Sequence, residues 1–235
     1  MKPRKPLPQA RSAQSRTFYI AIIGDIVASR RLPHAKRRRT QTVFQQLMNG
    51  LNQSFAHNLK AKFAIALGDE FEGLLKRSNA HQAIPDILWT IEEALPNISI
   101  RSGIGLGTID TDIPEYAAAA DGPAFHLGRE AIDLAQKNSQ LGGVFRGFGT
   151  KHDAILNGLA RILHRQRSGW SRQQRKVTAL LRAGANQTAA AQRMGLTKQA
   201  ISAYARAAGW EAYREGENAL RTALAEASNS LAISH

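Results

Sequence analysis

Residues 62–76 read Lys-Phe-Ala-Ile-Ala-Leu-Gly-Asp-Glu-Phe-Glu-Gly-Leu-Leu-Lys. From Lys62 to Leu67, the larger Phe63, Ile65 and Leu67 alternate with smaller residues, the period of two expected of a strand. Gly68-Asp69-Glu70 then turns the chain into a second run, Phe71 to Lys76, so the stretch predicts a β-hairpin. Upstream, Phe18 to Ile23 is a short branched and aromatic run closed by Gly24-Asp25, which predicts a buried first strand. Between the two, Val43, Phe44, Leu47, Met48, Leu51 and Phe55 recur at three and four from Thr40 onward, an amphipathic helix. Downstream, Ile84, Ile87, Leu88 and Ile91 make a second helical stripe ended by Pro96, and Ile98 to Ile109 resumes strand character with interleaved glycines. The order β-α-β-β-α-β predicts an α+β fold of split βαβ, ferredoxin-like topology. In that topology the first strand lies antiparallel beside the third, and the hairpin tip stands next to the end of the first strand. Asp25 and Asp69 then become neighbours. A further helix over Phe125 to Lys137 and a strand over Val144 to Phe148 complete the domain.

Composition narrows the class of function. The chain has 235 residues, 43% of them hydrophobic, enough for one sizeable core and a smaller second domain. No apolar run approaches the roughly 20 residues of a membrane span, so no membrane partner is expected. The absence of cysteine excludes disulfides, thiolate zinc sites and thiol catalysis, and agrees with a reducing cytoplasm. The formal charge of +14 is unevenly spread. Residues 1–16 carry five basic residues and no acid, and residues 151–235 carry thirteen basic against five acidic, whereas residues 17–150 are almost neutral at fourteen against thirteen. Positive charge gathered at the two ends of the chain is the pattern of a polyanion binder; a merely basic, soluble surface is the plainer alternative. Residues 1–16 lack periodicity and read as a disordered basic arm. Their Arg-rich, acid-free composition also fits a transit peptide, but the helix pattern downstream favours a bacterial protein. The basic run Arg30 to Arg39 is placed to meet a triphosphate or to lie along DNA; the plainer reading is a solvated face.

The C-terminal third carries the most specific local pattern. Ser171-Arg172-Gln173-Gln174 predicts a capping box opening a helix, with Val177, Leu180 and Leu181 as its buried stripe and Gly184 as its stop. Asn186 caps a short alanine-rich helix, Gln187 to Met194. Gly195 suits a left-handed turn, Leu196 enters the core, and Thr197 caps a third helix whose inner face is Ile201, Tyr204, Ala205 and Ala208. Ala191, Gly195 and Ile201 match the helix-turn-helix rule of small at the crossing, flexible at the turn and branched in the core. The outer face of the third helix then presents Thr197, Lys198, Gln199, Ser202 and Arg206 to double-stranded DNA. Gln199 and Ser202 suit base edges, while Lys198 and Arg206 suit guanine or phosphate. A plain helical hairpin is the competing reading.

Asp25 and Asp69, at adjoining strand ends, are the residue type and placement that a hard cation such as Mg2+ requires beside substrate phosphates. As plain turn residues they would instead bond nearby backbone amides. Gly24-Asp25-Ile26-Val27, Gly68-Asp69-Glu70-Phe71, Arg101-Ser102-Gly103-Ile104-Gly105-Leu106-Gly107 and the helix Gly122-Pro123-Ala124-Phe125-His126-Leu127-Gly128-Arg129 resemble the palm domain shared by class III adenylate cyclases and GGDEF diguanylate cyclases. That resemblance implies Asp25 and Asp69 as metal ligands, Arg129 as a residue stabilising phosphorus charge, and Arg129 and His126 as contacts to a purine nucleotide. The sequence departs from working cyclases at three places. Ile65 stands where a base-reading lysine is placed, His126 and Arg129 lie three rather than four apart, and Leu67 stands where diguanylate cyclases have a first glycine.

Taken together with the helix-turn-helix, these motifs look like the SatD family of bacterial proteins over about residues 17–210. The family implies a cyclase-like domain joined to a DNA-binding region with a regulatory role. The expected organisation is a basic arm at 1–16, a palm domain at 17–150, a connecting helix at 151–168 and a helix-turn-helix domain at 169–235. The leading expectation is a homodimeric DNA-binding regulator whose palm domain binds a metal-nucleotide or pairs subunits. An active nucleotidyl cyclase or phosphotransferase, and a DNA-binding structural protein without ligand response, remain open beside it.

Overall fold

The computed structural model describes residues 17–27, 34–95 and 98–233, with backbone alone at 34–39, 67 and 230–233. The basic arm, Arg30, Arg31 and Pro96 lie outside the described residues, as do the side chains of Lys36 to Arg39. The fold is mixed α+β around one five-stranded sheet. In chain order it comprises β1 (Tyr19–Ile26), α1 (His34–Ser54), β2 (Leu59–Leu67), β3 (Glu70–Lys76), α2 (Ala80–Ala94), β4 (Ile100–Gly107), α3 (Pro123–Lys137), β5 (Gly142–Arg146) and α4 (Thr150–Ser168). Four more helices follow: α5 (Arg172–Arg182), α6 (Gln187–Met194), α7 (Lys198–Ala207) and α8 (Trp210–Ile233).

The sheet order is β2-β3-β1-β4-β5. The first four strands are antiparallel neighbours, as the β-α-β-β-α-β reading requires, and β5 adds in parallel to β4. Central β1 is buried on both faces, which explains why it reads as a continuous apolar run rather than an alternating one. Ile20, Ile22 and Ile26 join the core under α1 and α2, whereas Ala21 and Ile23 join a second cluster with Phe125 of α3. The strand runs past the expected stop at Gly24-Asp25, because β3 and β4 pair with it on both sides as far as Asp25 and, on the β4 side, Ile26. Gly24 is a packing glycine here, since a Cβ on it would lie 2.2 Å from the Phe71 ring.

The interleaved glycines of β4 have a related cause. Gly103, Gly105 and Gly107 all face α3, and added Cβ atoms would lie 2.1 Å from the Gly128 carbonyl oxygen, 2.1 Å from the Ala124 carbonyl oxygen and 2.6 Å from the Ala124 nitrogen. Any side chain there would lift α3 off the sheet. On the opposite face, Phe44, Leu47, Met48 and Leu51 of α1 and Ile84, Ile87 and Ile91 of α2 cover the sheet, with Phe44 edge-on to Phe71 at 5.5 Å. Among the smaller departures, α1 begins at His34 rather than Thr40, and β5 ends at Arg146 before Gly147, whose positive φ of 89° breaks the strand.

The 24-residue α8 is the element that local pattern did not announce. It packs on α2 and α4, burying Tyr213, Leu220, Leu224 and Ala227. One hydrophobic cluster consequently runs from β1 through Trp89 and Trp170 to Val177, Ile201 and Leu224, with no break at residue 169. The junction is held by charge as well. Arg167 of α4 is 2% exposed, donates to the carboxylates of Glu92 and Glu93 and to the Trp89 carbonyl, and lies 3.8 Å from the Trp89 ring centroid. Arg182 of α5 and Arg221 of α8 both donate to Asp86 of α2 and Glu217 of α8. Removing one member of such a half-buried network leaves a charge without its partner, so α5 and α8 are held in a defined position against α2. Among the described residues, no helix is long and apolar enough to cross a membrane.

Candidate functional site

At one end of the sheet, the strand registers bring three residues into a row on the face that carries α3. Asp25 of β1 stands directly opposite Glu70 of β3 on one side and Arg101 of β4 on the other. The hairpin tip adjoins them, since the Ile26 amide donates to the Asp69 carbonyl oxygen at 3.3 Å. Asp25 and Asp69 therefore stand at the same sheet end, as the topology predicts. Asp25 is engaged by Arg101, which donates from Nε to Oδ1 at 2.9 Å and from Nη2 to Oδ2 at 2.6 Å, a two-pronged pair with one hydrogen bond on each carboxylate oxygen.

Two residues along β3, Glu72 points to the same face as Glu70 and is 2% exposed. Arg129 reaches down from α3, donating through Nη1 to Glu70 Oε1 at 2.9 Å and through Nη2 to Glu72 Oε1. Burial raises the Glu72 carboxyl above the ordinary glutamate range; the Arg129 guanidinium opposes that shift, and the nearby charges of Glu70 and Asp121 add to it. One turn earlier on α3, His126 lies with Nε2 3.1 Å from the Asp121 carboxylate, and both side chains are exposed. The face thus holds three carboxylates, Asp25, Glu70 and Glu72, against two guanidiniums, Arg101 and Arg129.

Beside the expected pair of aspartates, the structure places Arg101 on Asp25. Each Asp25 oxygen accepts one hydrogen bond from Arg101 and keeps a further lone pair of the kind a hard cation such as Mg2+ uses. Among the described residues, no three His, Asp or Glu side chains converge where a metal ion would be held. Arg129, expected at a nucleotide's phosphorus, is turned to Glu70 and Glu72, and His126 is turned to Asp121 rather than joining it. The ion pairs of the cluster tie β1, β3, β4 and α3 together. Glu70, Glu72 and Arg101 were not singled out from the sequence. The available signal was the period of two in β3, which puts Glu70, Glu72 and Leu74 on one face.

The second region of interest is formed by α5, α6 and α7, which pack on one another. The Ser171 hydroxyl accepts from the Gln174 amide while the Gln174 side chain accepts from the Ser171 amide, the expected capping box. Asn186 accepts from Ala189, and Thr197 Oγ1 accepts from Ala200. Gly195, between α6 and α7, is left-handed at φ 63°. Ala191, Ile201 and Ala205 are buried. Thr197, Lys198, Gln199 and Arg206 are exposed, and Ser202 is half-buried. Neither Lys198 nor Arg206 has an ion-pair partner among the described residues, so their charges face outward.

Three comparisons bear on identity. The family model described as SatD family matches residues 19–222. No curated protein matches the chain. Among solved structures, the chain is similar to the dimeric guanylyl cyclase domain of the RhoGC fusion protein from the aquatic fungus Blastocladiella emersonii, at 12% identity and TM-score 0.37, covering 49% of this chain and 73% of that one. It is similar to the catalytic core of a rhodopsin-guanylyl cyclase with converted specificity in complex with ATPalphaS, at 14% identity and TM-score 0.38, covering 49% and 71%. A bacterial light-regulated adenylyl cyclase is similar at 11% identity and TM-score 0.34, over 53% and 73%.

Proposed function

The chain belongs to the SatD family, and from that premise we propose that it is a DNA-binding regulatory protein whose α6 and α7 act as a helix-turn-helix. One observation carries the reading: α7 is anchored by buried Ile201 and Ala205 behind a left-handed turn at Gly195, while Lys198, Gln199 and Arg206 are left exposed. A helix so presented fits the major groove of double-stranded DNA, with Lys198 and Arg206 neutralising phosphates or meeting guanine and Gln199 and Ser202 at base edges. Thr197 opens the helix as its cap. The sheet-bearing part, at 17–150, serves as the palm that pairs two copies, so that two α7 helices read half-sites about one turn of DNA apart. Its carboxylates are bridged by Arg101 and Arg129, which supports a scaffold role.

The test is a selection from a random-sequence duplex pool with the full-length chain, followed by anisotropy titrations and a measurement of mass in solution. Gln199→Ala should weaken the selected site more than random DNA, by about 1 to 3 kcal/mol. Lys198→Ala with Arg206→Ala should weaken both. Equal loss on both duplexes for Gln199→Ala would remove its base-reading role, no duplex binding would end the proposal, and a monomer at micromolar concentration would remove the pairing.

The nearness of Asp25 and Asp69 favours a second reading, an active nucleotidyl cyclase or phosphotransferase with an accessory DNA-binding region. If purified protein consumes neither ATP nor GTP with magnesium or manganese, this reading fails.

A further inference from the structure

A groove of about 530 Å3 opens where the end of α2 meets α5, α6 and the turn before α7. That volume lies in the range of roughly 300–1,000 Å3 of sites that take small organic molecules. Its floor is apolar: Leu180 of α5, Met194 of α6 and Leu196 of the turn all line it, and all three are only half-buried. Three large apolar side chains left partly in water beside one another favour an apolar occupant. Methionine, unbranched and polarizable, adapts to such an occupant's shape.

The lip is cationic. Lys176 of α5 and Arg193 of α6 line the same groove from two different helices, and both are exposed. Neither has a hydrogen-bond or ion-pair partner among the described residues. The one acid in the lining, Glu93, has its carboxylate drawn to Arg167 at 2.8 Å. Two unpaired cations over an apolar floor select a ligand with one anionic group and an apolar body. A nucleoside triphosphate, with several charges and a sugar, matches two cations and three aliphatic side chains poorly.

We propose that this groove is a binding site for a small amphipathic organic anion, an aryl or acyl carboxylate or sulfonate, with Lys176 and Arg193 holding the anion and Leu180, Met194 and Leu196 the apolar body. The site is independent of the palm cluster, and its occupancy does not depend on DNA binding. Because its lining includes Leu196, an occupant contacts the turn that leads into α7.

The experiment uses the full chain and two fluorescent probes of nearly the same apolar body, anionic 1-anilinonaphthalene-8-sulfonate and neutral N-phenyl-1-naphthylamine. The anionic probe should bind saturably at one site and more tightly than the neutral one. Lys176→Ala with Arg193→Ala, both at exposed positions that leave the core untouched, should weaken it about tenfold or more, the scale of lost hydrogen bonds to charged groups. Arg161→Ala with Arg165→Ala, exposed cations on α4, should leave it unchanged. Equal affinity for the two probes, unaltered binding in the Lys176/Arg193 variant, equal loss in the α4 variant, or a signal that does not saturate would each overturn the proposal. So would a Lys176/Arg193 variant that loses affinity for all duplexes while keeping the anionic probe, since the two cations would then be phosphate contacts.

Discussion

Replacing Arg101 with methionine tests the reading of the palm cluster most directly. Methionine keeps much of the aliphatic stem of arginine and deletes the guanidinium, so the loss isolates its two hydrogen bonds to Asp25. An exposed ion pair is worth about 0–1 kcal/mol, and breaking a fully buried one costs about 3–5 kcal/mol. With the Arg101 and Asp25 side chains 14% and 23% exposed, the pair lies between those limits and nearer the buried one. The orphaned carboxylate also stands directly across from Glu70, a like-charge neighbour that Arg101 no longer offsets. We expect a loss of about 2–3 kcal/mol at neutral pH, or roughly 5–10 °C in Tm for a chain of this length. Urea unfolding followed by circular dichroism reads it, with Asp25→Asn and the double variant closing a double-mutant cycle. The double variant should recover much of the loss, with a coupling of at least about 1 kcal/mol. A single variant within about 0.5 kcal/mol of the parent, or a coupling near zero, would show that the pair does not hold β1 to β4 and would refute the reasoning.

Two glycine-to-alanine changes should have opposite signs. Gly105→Ala drives a methyl to 2.1 Å from the Ala124 carbonyl oxygen and should cost about 3 kcal/mol or more, whereas Gly158→Ala, in the middle of α4 with nothing within 4 Å, should stabilise by about 0.5–1 kcal/mol; thermal melts of both decide it. Glu72 has its carboxyl raised by burial, so its contribution to stability is fully present below the ordinary glutamate value of about 4.3 and is lost as pH rises through the raised value. The parent should therefore lose ground to Glu72→Gln in Tm between about pH 4.3 and neutrality; a parent that gains on the variant over that range would mean that the Arg129 pair outweighs burial. Ser171→Ala removes the acceptor for the Gln174 amide and should lower Tm by about 2–4 °C through a cap loss of about 1 kcal/mol, with unchanged melting as the contrary result.

The sequence by itself determined what depends on neighbours within a few residues. The hairpin at 62–76, the helix periods, the capping box at Ser171 and Gln174, the caps at Asn186 and Thr197 and the left-handed Gly195 are local events, each legible from residue type and spacing. The strand order followed too, because the handedness and shortness of connections leave a β-α-β-β-α-β chain few alternatives. Only the tertiary structure decided which partners the charged groups took. Asp25 and Arg101 are 76 residues apart, Glu72 and Arg129 are 57 apart, and nothing local distinguishes a carboxylate awaiting a cation from one that meets an arginine across a strand register. The same holds for the glycines of β4, whose function appears only with α3 lying on them, and for α8, whose buried face is defined by α2 and α4. Local propensity sets the elements; ion-pair choice and close approach are set by the register and distance between elements, and those exist only once the chain has folded.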